Sequence, residues 1–295
     1  MKKSRKLATL GICSALFLGL AACQQQHVTS EGTNQRQSSS AKVPWKASYT
    51  NLNNQVSTEE VKSLLSAHLD PNSVDAFFNL VNDYNTIVGS TGLSGDFTSF
   101  THTEYDVEKI SHLWNQKKGD FVGTNCRINS YCLLKNSVTI PKLEKNDQLL
   151  FLDNDAIDKG KVFDSQDKEE FDILFSRVPT EATTDVKVHA EKMETFFSQF
   201  QFNEKARMLS VVLHDNLDGE YLFVGHVGVL VPADDGFLFV EKLTFEEPYQ
   251  AIKFASKEDC YKYLAPSMRI IQARDWLSLL SWIMISGLNF NSVMI

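Results

Sequence analysis

Apolar residues recur at helical spacing in the first half of the chain and at strand spacing in the second. Val61, Leu64, Leu65 and Leu69 follow the capping signal Ser57-Thr58-Glu59-Glu60, which predicts an amphipathic helix ended by Asp70-Pro71. A second helix is expected from about Ser73 through Phe77, Phe78, Leu80, Val81 and Tyr84 to Val88, and a third over Asp106 to Gln116, closed by Gly119. Gly89 to Gly95 reads as a loop between them. In Gly123 to Asn136, GTNCRINSYCLLKN, Thr124 or Asn125 can cap a helix that starts at or beside Cys126.

Farther on, strands are expected at Leu149 to Leu152, Phe171 to Arg177, Arg207 to His214 and Tyr249 to Phe254, with a helix from about Asp185 to Phe200. Ser256-Lys257-Glu258-Asp259 caps a short helix carrying Cys260, Tyr261 and Leu264. The most apolar stretch is Tyr221 to Lys242, YLFVGHVGVLVPADDGFLFVEK, which reads as two buried strands joined by a turn at Ala233-Asp234-Asp235-Gly236. Asn216 to Glu220 supplies the turn before it. If the loop is symmetric, Pro232 faces Phe237 and Gly228 faces Glu241. His226 and Glu241 are then diagonal neighbours on one face, and a register slip of one residue would send Glu241 to the other. These elements describe an α+β fold, with N-terminal helices packed on a central antiparallel β-sheet.

The two ends read differently. Lys2, Lys3, Arg5 and Lys6 precede the apolar segment Leu7 to Leu20, which ends in Leu20-Ala21-Ala22-Cys23. This is a secretory signal over 1–22, too short to span a bilayer. Small residues before Cys23 resemble the bacterial lipoprotein signal, which implies that Cys23 becomes lipidated and begins the mature chain. Residues 23–44 are Gln-, Ser-, Thr- and Asn-rich, the composition of a disordered tether. One domain is expected over 45–270, and 271–295 is an atypical tail. The tail carries no charge from Trp276 onward, while its serines, Gly287, Asn289 and Asn291 argue against a second membrane anchor.

Charge narrows the partners. Loss of the leader removes four of 29 basic residues and leaves 25 against 37 acidic ones, a net charge of −12. That balance argues against nucleic acid or an anionic lipid surface as the partner. Once Cys13 and Cys23 are set aside, Cys126, Cys132 and Cys260 remain, an odd number that makes no disulfide framework. The absence of Cys-x-x-Cys weakens a redox role. Cys132 reads as core filling. Cys126 has two readings, a small buried hydrophobe or a thiolate favoured by a helix N-terminus. The acidic group Asp153, Asp155 and Asp158 lacks the Gly and distal Glu of a calcium loop and reads as a solvated turn. A zinc site of Cys126, His214 and His226 has no close-spaced ligand pair. No metal or cofactor is expected.

Cys126, His226 and Glu241 together supply a thiol, a base and a polar group to hold the base, with His214 the competing base. Asn125-Cys126 at a helix start, Gly225-His226-Val227-Gly228-Val229 in a strand, and a polar residue on the next strand resemble the papain-like superfamily of NlpC-type and CHAP-type cell-wall amidases and peptidases. The resemblance covers roughly Gly123 to Lys242. It implies Cys126 as nucleophile, His226 as base and Glu241 as orienter. Members often carry Asp-Cys-Ser, where this chain has Asn125-Cys126-Arg127; Arg127 would favour the thiolate and would also narrow the pocket. The Cys126 amide is the default oxyanion donor, with Asn125 and Tyr84 as further candidates. From Trp45 to Leu264 the chain also resembles a family of uncharacterised lipoproteins of low-GC Gram-positive bacteria.

The resulting expectation is a monomeric lipoprotein on the extracellular face of the cell membrane. It would hydrolyse amide bonds of peptidoglycan peptides, or of another peptide, through a thioester. The alternative is the same scaffold binding a peptide or wall fragment without turnover.

Overall fold

A computed structural model describes the backbone of residues 46–101, 103–203, 205–272 and 282–285, with side chains up to residue 265. The chain divides into two units, 1–41 and 42–295, and the described residues all lie in the second. The expected signal, Cys23, the tether and most of the tail lie outside the described residues.

The strands are β1 (Ala47–Thr50), β2 (Thr98–Ser99), β3 (Val138–Thr139), β4 (Val178–Pro179), β5 (Gln201–Phe202), β6 (Arg207–Asp215), β7 (Tyr221–Ala233), β8 (Gly236–Lys242), β9 (Tyr249–Phe254) and β10 (Trp282–Ile285). The helices are α1 (Gln55–Ser66), α2 (Pro71–Val88), α3 (Val107–Lys118), α4 (Cys126–Leu134), α5 (Phe151–Gly160), α6 (Ser165–Leu174), α7 (Val186–Phe197) and α8 (Lys257–Gln272). The main sheet runs β10-β6-β7-β8-β9-β1-β2, with β4 beside β7, and its pairs are antiparallel. The architecture is mixed α and β, as expected at that level. Among the described residues no helix is long and apolar enough to cross a membrane.

Local chemistry sets most helix starts. Asp70 accepts from the Ser73 amide with Pro71 in the first turn, Asp106 from Lys109 and Asp185 from Lys187, each satisfying an orphan amide. In α1 the cap is Asn54 rather than the Ser57 signal, because Asn54 accepts from the Ser57 amide and the helix starts earlier. Gly119, at φ 65, ends α3.

Two expected strands are helical. Leu149 to Leu152 lies in a 3-10 turn running into α5, and Phe171 to Arg177 covers the end of α6 and the residues after it. A short apolar run cannot by itself separate a buried helix from a strand. The decision came from upstream, where Asp164 caps α6 by accepting from the Gln166 and Asp167 amides. Phe171, Leu174 and Phe175 then fill the core.

Strand alternation divides the sheet between two apolar clusters. Val224, Val227, Val229, Val231, Leu238 and Val240 join Val61, Phe77, Val81 and Ile128 of the N-terminal helices. Leu209, Val211, Leu230, Phe239, Ile252 and Phe254 join Cys260, Tyr261 and Leu264 of α8. Residues 282–285 of the tail pair with β6, so that part is a strand.

Candidate active site

Asn125 is extended and caps α4, its Oδ1 accepting from the Ile128 amide at 3.1 Å, so Cys126 is the first helical residue. Side chains of this helix then reach β7 on either side of His226. Arg127 Nη1 donates to the Val224 carbonyl at 2.9 Å and Ser130 Oγ to the Val227 carbonyl at 3.3 Å. The anchor behind them is Asp153 of α5. Its Oδ1 accepts from Arg127 Nε and Asn125 Nδ2, each at 2.8 Å, and its Oδ2 from Arg127 Nη2 at 2.7 Å.

The solvated turn expected for Asp153, Asp155 and Asp158 is therefore replaced by a helix. Asp155 and Asp158 pair at the surface with Lys159 and Lys168, while Asp153 is wholly buried. Sequence reasoning missed Asp153. The only local hint was its spacing from Ala156 and Ile157, which also face inward.

His226 stands beside a bulge in β7. Val211 pairs with His226 but Val212 pairs with Val224, which leaves Gly225 as the extra residue. A Cβ on Gly225 would lie 2.4 Å from Leu213 Cδ1, and one on Gly228 would lie 2.3 Å from the Phe239 ring. A side chain at either glycine would force its neighbours to move, at Gly228 against the Val240 carbonyl as well as the Phe239 ring.

The hairpin register is the symmetric one. Asp234-Asp235 form the turn, Pro232 pairs with Phe237, and the paired rungs run from Ala233 and Gly236 to Val229 and Val240. Continued by one rung, this sets Gly228 opposite Glu241, and the Nε2 of His226 meets Glu241 Oε2 at 2.5 Å. With Nε2 engaged, Nδ1 is the ring nitrogen available to Cys126, which is close enough to the imidazole to feel its charge.

The electrostatics single out one thiol. Burial would push Cys126 up, but the charge and hydrogen bond of His226, aided by Arg127, outweigh burial and hold it below the ordinary thiol value. Burial would push His226 down, yet Cys126 and Glu241 bring it up to about 10. Burial pushes Cys132 up to about 12 and Cys260 well above its ordinary value. The structure thus brings Cys126, His226 and Glu241 together and keeps the other two cysteines apart in character.

The remaining candidates are committed elsewhere. His214 Nε2 lies 2.5 Å from Glu220 Oε2, and its ring packs at a tilt against His189 with centroids 4.6 Å apart. Asn125 spends both ends of its amide on Ile128 and Asp153, and Tyr84 Oη donates to the Glu246 carbonyl at 2.5 Å. That leaves the Cys126 main-chain N–H, in the first turn of α4, as the remaining candidate for an oxyanion donor. Among the described residues no group of three His, Cys, Asp or Glu is placed to hold a metal ion.

Lys242 was also missed, since a lysine ending a strand reads as exposed. It is 1% exposed, and Nζ donates to the carbonyls of Thr244 at 2.8 Å, Phe245 at 3.2 Å, and Glu247. The amine sits 4.2 Å from the centre of the Tyr84 ring, and burial brings its pKa down to about 7. It fixes the link between β8 and β9 against the chain entering α4. There Gly123, at φ +90, has room for a Cβ only 3.4 Å from the Phe245 carbonyl oxygen.

A family model described as a domain of unknown function (DUF4300) matches residues 48–275. No curated protein and no solved structure matches the chain.

Proposed function

We propose that this chain, which belongs to the DUF4300 family, is a cysteine-dependent amide hydrolase of papain-like type. Its substrates would be peptides, cell-wall peptides among them. The observation that carries the reading is the contrast among the thiols: Cys126 is lowered by a histidine that Glu241 holds at 2.5 Å, while Cys132 and Cys260 are raised.

In this reading the Cys126 thiolate attacks the scissile carbonyl carbon, forming a C–S bond while the C–O π electrons move to oxygen. The Cys126 amide receives that oxyanion. The intermediate collapses, the C–N bond breaks, and the His226 imidazolium gives its proton to the departing amine. A thioester remains. His226, now neutral, takes a proton from water as the hydroxide adds, and loss of the thiolate releases the carboxylic acid and restores the ion pair. Glu241 keeps the ring in one tautomer throughout.

The test begins with iodoacetamide at pH 7 and peptide mapping. Cys126 is expected to be alkylated at least about tenfold faster than Cys132 or Cys260, as a lowered against a raised thiol requires. Equal rates at all three would defeat the assignment. Wall-derived muropeptides should then yield new amino termini, with a hydroxylamine-sensitive acyl adduct on Cys126. The 5% exposure of Cys126 favours a second reading, a binding protein on the same scaffold. Fast alkylation with every offered peptide bound but intact would support it.

We also propose attachment to the outer face of the cell membrane through lipid on Cys23, from the leader ending in Ala21-Ala22-Cys23. Cys23→Ala should move the expressed chain out of the membrane fraction. Retention of that variant in the membrane would overturn the anchor.

A further inference from the structure

Glu241 is 2% exposed, and a carboxylate buried to that degree needs hydrogen-bond donors on both oxygens. His226 supplies Oε2. The hydroxyl of Tyr263, on α8, supplies Oε1. We infer that Tyr263 is a fourth member of the site, a positioning residue that holds Glu241 in place and so sets the protonation of the Cys126 and His226 pair. The inference rests on the catalytic reading of those three residues.

The ring of Tyr263 is seated independently of its hydroxyl. Its centroid lies 5.3 Å from that of Phe100, 5.7 Å from Phe254 and 6.2 Å from Phe239, an aromatic seat that any ring of this size would fill. The polar end is what points at the carboxylate. Gln250, which pairs with Glu241 in the sheet, has its Oε1 at 3.3 Å from Tyr263 Oη and donates through Nε2 to Tyr105 Oη at 2.8 Å. Tyr105 also accepts from Asn51 Nδ2 at 2.9 Å. One hydroxyl carries one proton, and the nearer, charged acceptor takes it.

The titratable groups facing Glu241 are His226, Tyr263, Tyr105 and Cys260. Burial and the Glu241 charge keep the Tyr263 phenol well above its ordinary value, so it stays a donor across the working range. Loss of that donor leaves Oε1 of the buried carboxylate unpaired, and Glu241 is no longer held against the His226 ring. The imidazolium loses its fixed partner, and the thiol rises with it. A helix on the side of the sheet occupied by Leu209 and Phe239 thereby becomes part of the site.

The experiment is the pH profile of Cys126 alkylation by iodoacetamide in the full chain, for wild type, Tyr263→Phe, Glu241→Gln and the double variant. Tyr263→Phe is expected to raise the pH midpoint by about one unit and slow alkylation about tenfold at pH values below both midpoints, with near-UV circular dichroism retained. The double variant should be no slower than Glu241→Gln alone. A Tyr263→Phe profile superimposed on a wild type whose midpoint is low would overturn the inference and leave the proposed function standing. A wild-type Cys126 midpoint no lower than that of Cys132 would remove the catalytic reading itself. If Tyr263→Phe does not fold, 4-fluorophenylalanine at 263 fills the hydroxyl's space without a proton to donate. The same shift is then expected, and no shift overturns the inference.

Discussion

Replacing His226 with alanine should slow alkylation of Cys126 at pH 7 by about two orders of magnitude and lift its midpoint above that of an ordinary thiol, a two-unit change in pKa being a hundredfold change in thiolate. Burial and Asp153 push the Cys126 thiol up, and His226, the largest opposing influence, holds it down with help from Arg127. Without the imidazole the main opposition to burial is lost, and the Arg127 guanidinium is already satisfied by Asp153.

The sign of the pH dependence follows. In the wild type the reactive ion pair exists from the lowered value of Cys126 upward and is lost as pH rises through about 10, where His226 gives up its proton. Alkylation should therefore rise once, below the usual thiol range. Amide hydrolysis, which needs the imidazolium as acid, should rise with it and fall near pH 10. His226→Ala should show only an alkaline rise. His226→Gln, nearer in volume, separates charge from packing. If either variant retains the wild-type profile, His226 does not ionise this thiol.

The second large effect is on stability. Asp153→Ala is expected to cost about 3 to 5 kcal/mol, because removing one partner of a buried ion pair strands the other. The side chains of Arg127 and Asp153 are 15% and 0% exposed, and the alanine would also release Asn125, the cap of α4. Urea unfolding should report the loss, with a fall in Tm of roughly 10 °C for a domain of this size. Lys62 and Asp75, at 2.6 Å but 44% and 59% exposed, form the internal comparison. Asp75→Ala should change stability by less than about 0.5 kcal/mol. Equal, small effects from both substitutions would mean that Asp153 does not anchor α4. Asp153→Asn keeps the shape and should lie between them.

These two residues also differ in how readable they were. His226 was legible because one polar ring interrupts a long apolar run, and because Asp234-Asp235 is a short turn that leaves little freedom of register. Glu241 followed from counting along the hairpin. Cys126 was legible as the first helical residue because Asn125 is a cap, a signal contained within four residues. Asp153 gave no such signal. It sits 26 positions from Arg127, in a group of acids that resembles a solvated surface, and two of the three are indeed at the surface.

Sequence by itself therefore determined what is local: caps, turns, strand alternation, and hence the starts of α2, α3, α4 and α7 and the facing of His226 and Glu241. These features depend on groups a few bonds or a few rungs apart. Tertiary structure alone decided that Asp153 anchors Arg127 and Asn125 of α4 while Arg127 reaches β7, that Lys242 closes the link after β8, and that Tyr263 reaches Glu241 from 22 residues away. Those outcomes turn on which buried polar group meets which partner once the core has closed, and burial, not spacing along the chain, sets the cost of leaving any of them unpaired.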